Sequence, residues 1–189
     1  MNRFLAVLSA TALLAYPFAV YFGLHRWGIG SVAIFLAVLF ALRVFVSRQT
    51  QLRELRNVAL ITGGAGIFLA VLGSVFKEHG WLTFYPVIVN ATMLVVFASS
   101  LTQEQTLVER LARLQDPDLP PSGVRYTRKV TIVWCVFFIV NGLIALGTCF
   151  APLTVWTWYN GMISYLLAGS LFAVEWLVRQ RVQRKQINQ

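Results

Sequence analysis

The chain alternates between long apolar runs and short polar connections. Each run is close to the ~20 residues that a helix needs to cross the hydrocarbon core of a membrane. The six runs span residues 4–24, 29–46, 58–76, 82–101, 130–150 and 153–178. Only helices and closed barrels satisfy their backbone hydrogen bonds in a membrane, and the short alternating strands of a barrel are missing from the pattern. The pattern predicts an all-α, polytopic membrane helix bundle.

The first run differs from the others because Pro17 interrupts it. Arg3 followed by an apolar stretch is typical of a signal peptide, but "ALLAYPFAV" has no clean small-x-small cleavage site. We expect an uncut segment. It is either a kinked span or a segment that enters the membrane and returns, and charge counting does not separate the two.

Composition supports one integral-membrane domain over residues 1–189. Hydrophobic residues make up 58% of the chain and charged residues 12%, whereas soluble domains carry about 25% charged residues. The net charge is +9, but the basic residues form short clusters between apolar runs. That distribution argues against a nucleic-acid partner.

The basic residues also predict an orientation. If the N-terminus is cytoplasmic, fourteen of the sixteen Lys and Arg residues lie on the cytoplasmic side, and only Arg26 and Lys77 lie outside. The excess of basic residues in cytoplasmic loops then places both termini in the cytoplasm.

The longest connection is a cytoplasmic amphipathic loop, residues 103–129. Leu107, Leu111 and Leu114 follow a helical spacing, with Arg110 and Arg113 on other faces. We expect a short helix along the inner membrane surface. Asp116-Pro117 should end it, Pro120-Pro121 should hold the chain extended, and Ser122-Gly123 should turn it into the fifth run. The loop is either a connector or a surface on which a partner docks through these leucines and arginines.

Two asparagines lie near the middle of the fourth and fifth runs. Asn90 occurs in "VIVNAT" and Asn141 in "FIVNGL". An unpaired carboxamide in hydrocarbon is costly, so the two side chains are expected to bond to each other, which is worth about 0.6–2 kcal/mol. The alternative is a site that contacts a substrate or water.

A third polar position lies at the end of the sixth run. Glu175 and Arg179 are four residues apart, the spacing of an ion pair on a helix. Arg43 in the second run could compete for the same carboxylate. A carboxylate within a membrane can also serve proton transfer or binding. Together with Asn90 and Asn141, these residues form a candidate intramembrane polar site.

Small residues recur at helical spacing in two runs. The pairs are Ala59 with Gly63, Gly66 with Ala70, and Gly169 with Ala173. Such faces let helices approach closely, within one chain or in a homo-oligomer. The glycine-rich "TGGAGIFLAVLG" lacks the lysine of a phosphate-binding loop. No catalytic set or metal-ligand cluster stands out, so we predict neither a metal nor a cofactor and favour a protein that is not an enzyme.

One stretch resembles a known family. "VTIVWCVFFIVNGLIALGTCFAPLTVWTWYN" is similar to a span and loop of the intermembrane (intracellular) septation protein A family of bacterial inner-membrane proteins. The matching positions are Trp134, Val136, Phe137, Phe138, Ile139, Gly142, Leu143, Trp156 and Asn160. Ala145 stands where the family usually has a second polar residue, and Tyr159 replaces a phenylalanine. These departures suggest a distant branch, such as the small membrane proteins associated with fatty-acyl or aryl-polyene biosynthesis.

The resemblance implies a multi-pass protein of the bacterial inner membrane that supports envelope synthesis or septation through membrane partners. It implies no catalytic residues. A carrier or binding protein for a lipid or acyl-linked intermediate, using the Asn90, Asn141 and Glu175 regions, is an alternative. An accessory protein of acyl-chain or aryl-polyene biosynthesis is another. A large cavity lined by those residues would favour lipid binding, and a filled bundle with an exposed amphipathic loop would favour partner binding.

Overall fold

The structure is a computed structural model that describes residues 53–76, 80–114 and 116–187, together with Tyr21 and Val38. Within these ranges the regular structure is entirely helical and contains no strand. The helices are α1 (Arg53–Phe76), α2 (Gly80–Thr83), α3 (Tyr85–Ser100), α4 (Leu107–Arg113), α5 (Pro121–Thr148), α6 (Leu153–Trp158), a π-helical turn (Tyr159–Ile163) and α7 (Ser164–Ile187). The first two predicted runs, 4–24 and 29–46, and Arg43 lie outside the described residues, apart from Tyr21 and Val38.

Within the described residues, three stretches are long and apolar enough to cross a membrane. They are Trp81–Ser100, Pro121–Thr148 and Leu153–Gln180. These stretches coincide with the fourth, fifth and sixth predicted runs, although the fifth starts nine residues earlier than expected. A shorter apolar stretch, Arg56–Leu69, lies within α1, where the third run was predicted.

The stretch Trp81–Ser100 contains one irregular turn, between α2 and α3. Pro86 occupies the first turn of α3, where its missing N–H costs little. The same proline has no N–H to donate to the Leu82 carbonyl, four residues earlier. At this break the carbonyl of Thr83 accepts from the indole of Trp156 at 2.9 Å and from the thiol of Cys149 at 3.2 Å. The break therefore joins α2 to the loop and helix that follow α5.

Helix α5 begins at Pro121, so the prediction that Pro121 is extended and that Ser122-Gly123 form a turn is wrong. Pro120 is extended and caps the helix, and Pro121 takes the first helical position, for which its fixed φ is suited. Gly123 is helical as well. A Cβ at that position would lie 2.9 Å from the side chain of Leu119, so a glycine allows the loop to fold back onto the new helix.

The described helices pack around α3 and α5, which run antiparallel and share the most extensive contact. One apolar cluster joins the start of α3 to α6 and includes Leu82, Tyr85 and Trp156. A second cluster lies at the other end of α3 and includes Phe97 and Phe138. The asparagines of α3 and α5 lie between the two clusters.

The small-residue faces point in different directions. In α1, Gly63 and Gly66 are buried within the chain. In α7, Gly169 and Ala173 are exposed, and a Cβ added to Gly169 would meet no atom within 4 Å. The faces of α1 therefore serve packing inside the protein, whereas the face of α7 is open.

Candidate functional site

A buried polar layer links α3, α5 and the start of α7. The amide nitrogen of Asn141 donates to Oδ1 of Asn90 at 2.9 Å and to Oγ of Ser164 at 3.0 Å. Its Oδ1 accepts from the Tyr159 hydroxyl at 2.9 Å. The predicted contact between Asn90 and Asn141 is therefore present, and Asn141 lies at its centre.

Asn90 completes the layer with a bond inside its own helix. Its amide nitrogen donates to the carbonyl of Pro86 at 2.8 Å, four residues earlier. This bond orients the carboxamide so that its oxygen faces α5. Gly142 lets the two helices approach here, because a Cβ at that position would lie 3.1 Å from the Cβ of Asn90.

The π-helical turn supplies the third side of the layer. Its wider turn is marked by a bond from the Ser164 N–H to the carbonyl of Tyr159, five residues back. Both Tyr159 and Asn160 reach α5. The Asn160 amide donates to the Thr148 hydroxyl at 3.0 Å and to the Trp156 carbonyl at 2.9 Å. The turn thus binds α5 at two levels.

Sequence reasoning missed four members of this layer: Tyr159, Asn160, Ser164 and Thr148. The available signal was the cluster of polar side chains at 159, 160 and 164 inside an apolar run. In a regular helix Asn160 and Ser164 share a face, but Tyr159 and Ser164, five residues apart, lie about 140° apart. The π turn brings Tyr159 and Ser164 together, and a helical projection of the sequence does not contain it.

The chemistry open to this layer is limited to hydrogen bonding. Carboxamides and a serine hydroxyl do not titrate near neutral pH, and both amide hydrogens of Asn141 are already used. No group of three His, Cys, Asp or Glu side chains lies together in the described ranges to hold a metal ion. The layer is suited to fixing the positions of three helices.

Glu175 and Arg179 lie at a separate place, so the predicted polar site is divided. Glu175 is eleven residues after Ser164, or about 16 Å along α7. The hydroxyl of Tyr126 donates to the Glu175 backbone carbonyl at 3.0 Å and lies 3.4 Å from its carboxylate. The charge of Arg179 also acts on this hydroxyl. Tyr126, which the sequence did not single out, is the contact between α5 and α7 at this end.

The candidate docking loop packs against its own chain, most closely through Leu107. That side chain is 0% exposed and packs on Phe97, Cys135 and Phe138. Leu111 also packs against this cluster, and only Leu114, at 62% exposure, projects outward. The apolar face predicted for a partner is used mainly to attach α4 to the bundle.

Polar contacts hold α4 in this position. The hydroxyl of Thr106 caps the helix by accepting from the Glu109 N–H, and Ser100 accepts from the Leu107 N–H at 3.0 Å. Glu109 is buried and pairs with Arg113 at 2.9 Å. Arg110 donates to Gln103 at 2.6 Å. Both candidate arginines therefore take part in local structure.

Comparison of the chain with protein families, with characterised proteins and with solved structures finds no match.

Proposed function

We propose that the protein is a non-enzymatic, multi-pass protein of the bacterial inner membrane that supports envelope synthesis or septation by binding other membrane proteins. In this proposal the six apolar runs all enter the membrane, both termini are cytoplasmic, and the partner contacts α7. The resemblance to the septation protein A family gives the cellular setting, and the geometry of α7 gives the surface.

The observation that carries the proposal is the exposure of α7. In the 18-residue apolar window of Leu153–Gln180, which contains much of α7, only 6% of the residues are buried, against 33% in the windows of Trp81–Ser100 and Pro121–Thr148. Gly169, Ser170 and Ala173 are exposed there. A helix surface that only touches lipid tails has no need of small or hydroxyl side chains. Surfaces through which membrane helices contact each other are enriched in such residues. The composition of this face therefore favours a helix as its neighbour.

The interior supports the same conclusion. The central asparagines bond to other side chains of the chain, so they are occupied without a substrate. A protein whose intramembrane polar groups serve its own packing is suited to act through its outer surface.

Photo-crosslinking in native membranes tests the proposal. A photoreactive residue at Ser170 should crosslink a second membrane protein, and Gly169→Leu should abolish that product at unchanged abundance, because its new side chain enters open space. Val174→Phe is the matched control. It enlarges a side chain on α7 that is already 57% exposed, at a position five residues away.

A product formed only with lipid, or one that persists in Gly169→Leu, would contradict the proposal. A crosslink between two copies of the chain would show that the partner is a second copy and that the protein forms a homo-oligomer.

A second glycine variant distinguishes a loss of function caused by a lost partner contact from one caused by misfolding. Gly142→Leu adds bulk where the first added atom, a Cβ, would lie 3.1 Å from the Cβ of Asn90. Overpacking of this kind costs about 1–3 kcal/mol, so we expect lower thermal stability in detergent. Gly169→Leu should keep the stability of the parent protein. Cell division and envelope integrity should fail with both variants, but only Gly142→Leu should lose folded protein.

A further inference from the structure

The face that α5 turns toward α7 is apolar and only partly covered. Tyr126, Val133 and Val140 are spaced seven residues apart, so they lie on nearly the same face of the helix. Tyr126 contacts α7 through Glu175, which shows that this face is the one opposite α7. Nevertheless Val133 is 49% exposed and Val140 is 50% exposed.

The contacts between α5 and α7 that the structure defines by hydrogen bonds are at two levels. One is Asn141 with Ser164, and the other is Tyr126 with Glu175. Along α5 these levels are fifteen residues apart, or about 22 Å. Between them, the partly exposed Ala168 and Leu171 of α7 follow Ser164 at helical spacing toward Glu175. Between these two polar contacts the facing sides of α5 and α7 carry the apolar residues Val133, Val140, Ala168 and Leu171, and we call the surface between these four residues the groove.

Positive charge surrounds one end of this groove. Lys129 is three residues after Tyr126 and four before Val133, so it is a surface neighbour of both. Arg125 lies one turn before Lys129, and both are exposed. Across the groove, the charge of Arg179 acts on the Tyr126 hydroxyl. The nearby acidic group is Glu175, which is engaged by Tyr126. Among the described residues at this end of the groove, the three cations Arg125, Lys129 and Arg179 therefore outnumber the carboxylate of Glu175.

We infer that this groove binds one anionic phospholipid, with an acyl chain along Val133 and Val140 and the phosphate beside Lys129, Arg125 and Arg179. The groove offers apolar surface for a chain, and its end offers the excess positive charge that an anionic headgroup requires. Each basic residue near the membrane surface favours anionic lipid about fivefold, which corresponds to about 1 kcal/mol. This inference does not rest on the proposed function, because the exposed face with Gly169 is a different face of α7.

Two matched pairs of variants test the site. Lys129→Gln removes a charge at the groove, whereas Arg128→Gln removes an exposed charge one residue away, about 100° around α5. Val133→Trp fills the groove, whereas Ile132→Trp adds the same side chain to a position of similar exposure, 47% against 49%. All four positions are exposed, so the variants should fold. Circular dichroism and gel filtration check this for each protein.

The measurement is lipid selectivity in vesicles of phosphatidylcholine that contain one-fifth phosphatidylglycerol, using spin-labelled forms of each lipid. The parent chain should retain one motionally restricted phosphatidylglycerol in preference to phosphatidylcholine. Lys129→Gln should lower that preference about fivefold, and Val133→Trp should abolish the site. Arg128→Gln and Ile132→Trp should keep both the preference for phosphatidylglycerol and the restricted lipid. Absence of a preference, or equal losses within either matched pair, would overturn the inference and indicate general attraction to a basic surface.

Discussion

Helix α5 meets α3 on one face and α7 on another, and the two contacts are built differently. Against α3 it forms an extensive interface with two apolar clusters and a hydrogen-bonded asparagine pair between them. Against α7 it forms polar contacts at two levels, with half-exposed valines between. Both faces use hydrogen bonds, but only the first surrounds them with packed side chains. The difference separates a rigid pair of helices from a helix whose surface remains open to other molecules.

The largest effect is expected in the α3–α5 region, where α4 attaches. Leu107→Ala should lower the free energy of unfolding by about 2–5 kcal/mol, since it removes a fully buried side chain from the cluster around Phe97. Leu114→Ala, on the same short helix but 62% exposed, should change it by about 0.5 kcal/mol or less. Unfolding in mixed micelles, followed by circular dichroism, measures both. Similar losses for the two variants would show that α4 is not anchored as described.

A smaller effect is expected from the asparagine pair. In a double-mutant cycle with Asn90→Ala and Asn141→Ala, the coupling energy should be about 0.6–1.7 kcal/mol, the range found for hydrogen bonds between membrane helices. Asn141→Ala alone should cost more than Asn90→Ala, because Asn141 also bonds to Ser164 and Tyr159. The same unfolding assay gives these values.

Thr62→Val provides the control for that cycle. The Thr62 hydroxyl bonds within its own helix, to the Val58 carbonyl at 2.7 Å. Its effect should add to that of Asn141→Ala within about 0.5 kcal/mol. Zero coupling between the asparagines would mean that their hydrogen bond contributes nothing to the α3–α5 interface.

The smallest change in stability is expected at the α5–α7 contact. Tyr126→Phe removes the hydroxyl that bonds to Glu175 and should cost about 0.6 kcal/mol. Its main consequence should be positional. Spin labels at Arg128 and Leu177, in a background with Cys135 and Cys149 changed to Ala, should report a broader distance distribution between α5 and α7. An unchanged distribution would show that packing, and not Tyr126, holds this end.

The sequence predicted the parts of the structure that depend on periodicity and on the cost of buried polar groups. The helical character of the last three runs follows from length and hydropathy. The asparagine contact follows from two carboxamides that need partners at similar positions on neighbouring runs. The role of Leu107 was left open because an amphipathic face fits a membrane surface and a protein core equally well. Its partners, Phe97 and Phe138, come from other helices, which a local pattern does not reveal.

The start of α5 and the Tyr126 contact were missed for related reasons. Consecutive prolines favour an extended chain locally, but a proline is also suited to the first position of a helix. Pro121 is helical here because it is continuous with the long helix that follows. Tyr126 lies in a basic cluster that resembles an ordinary membrane anchor. Its role depends on Glu175, forty-nine residues later, which no spacing rule connects to it.

The π-helical turn at Tyr159–Ile163 sets the rotational phase of everything that follows it. Such a turn holds one residue more than a regular α-helical turn in about the same angle, so deletion of a single residue within it would restore an ordinary helix and leave the remainder of α7 in its present direction. If the chain of present length formed a regular helix here, the remainder of α7 would be rotated by about 100°. Glu175 would then turn away from Tyr126, and the exposed small residues around Gly169 would take another direction. The π turn is therefore what allows one helix to contact Asn141 at its start and Tyr126 near its end.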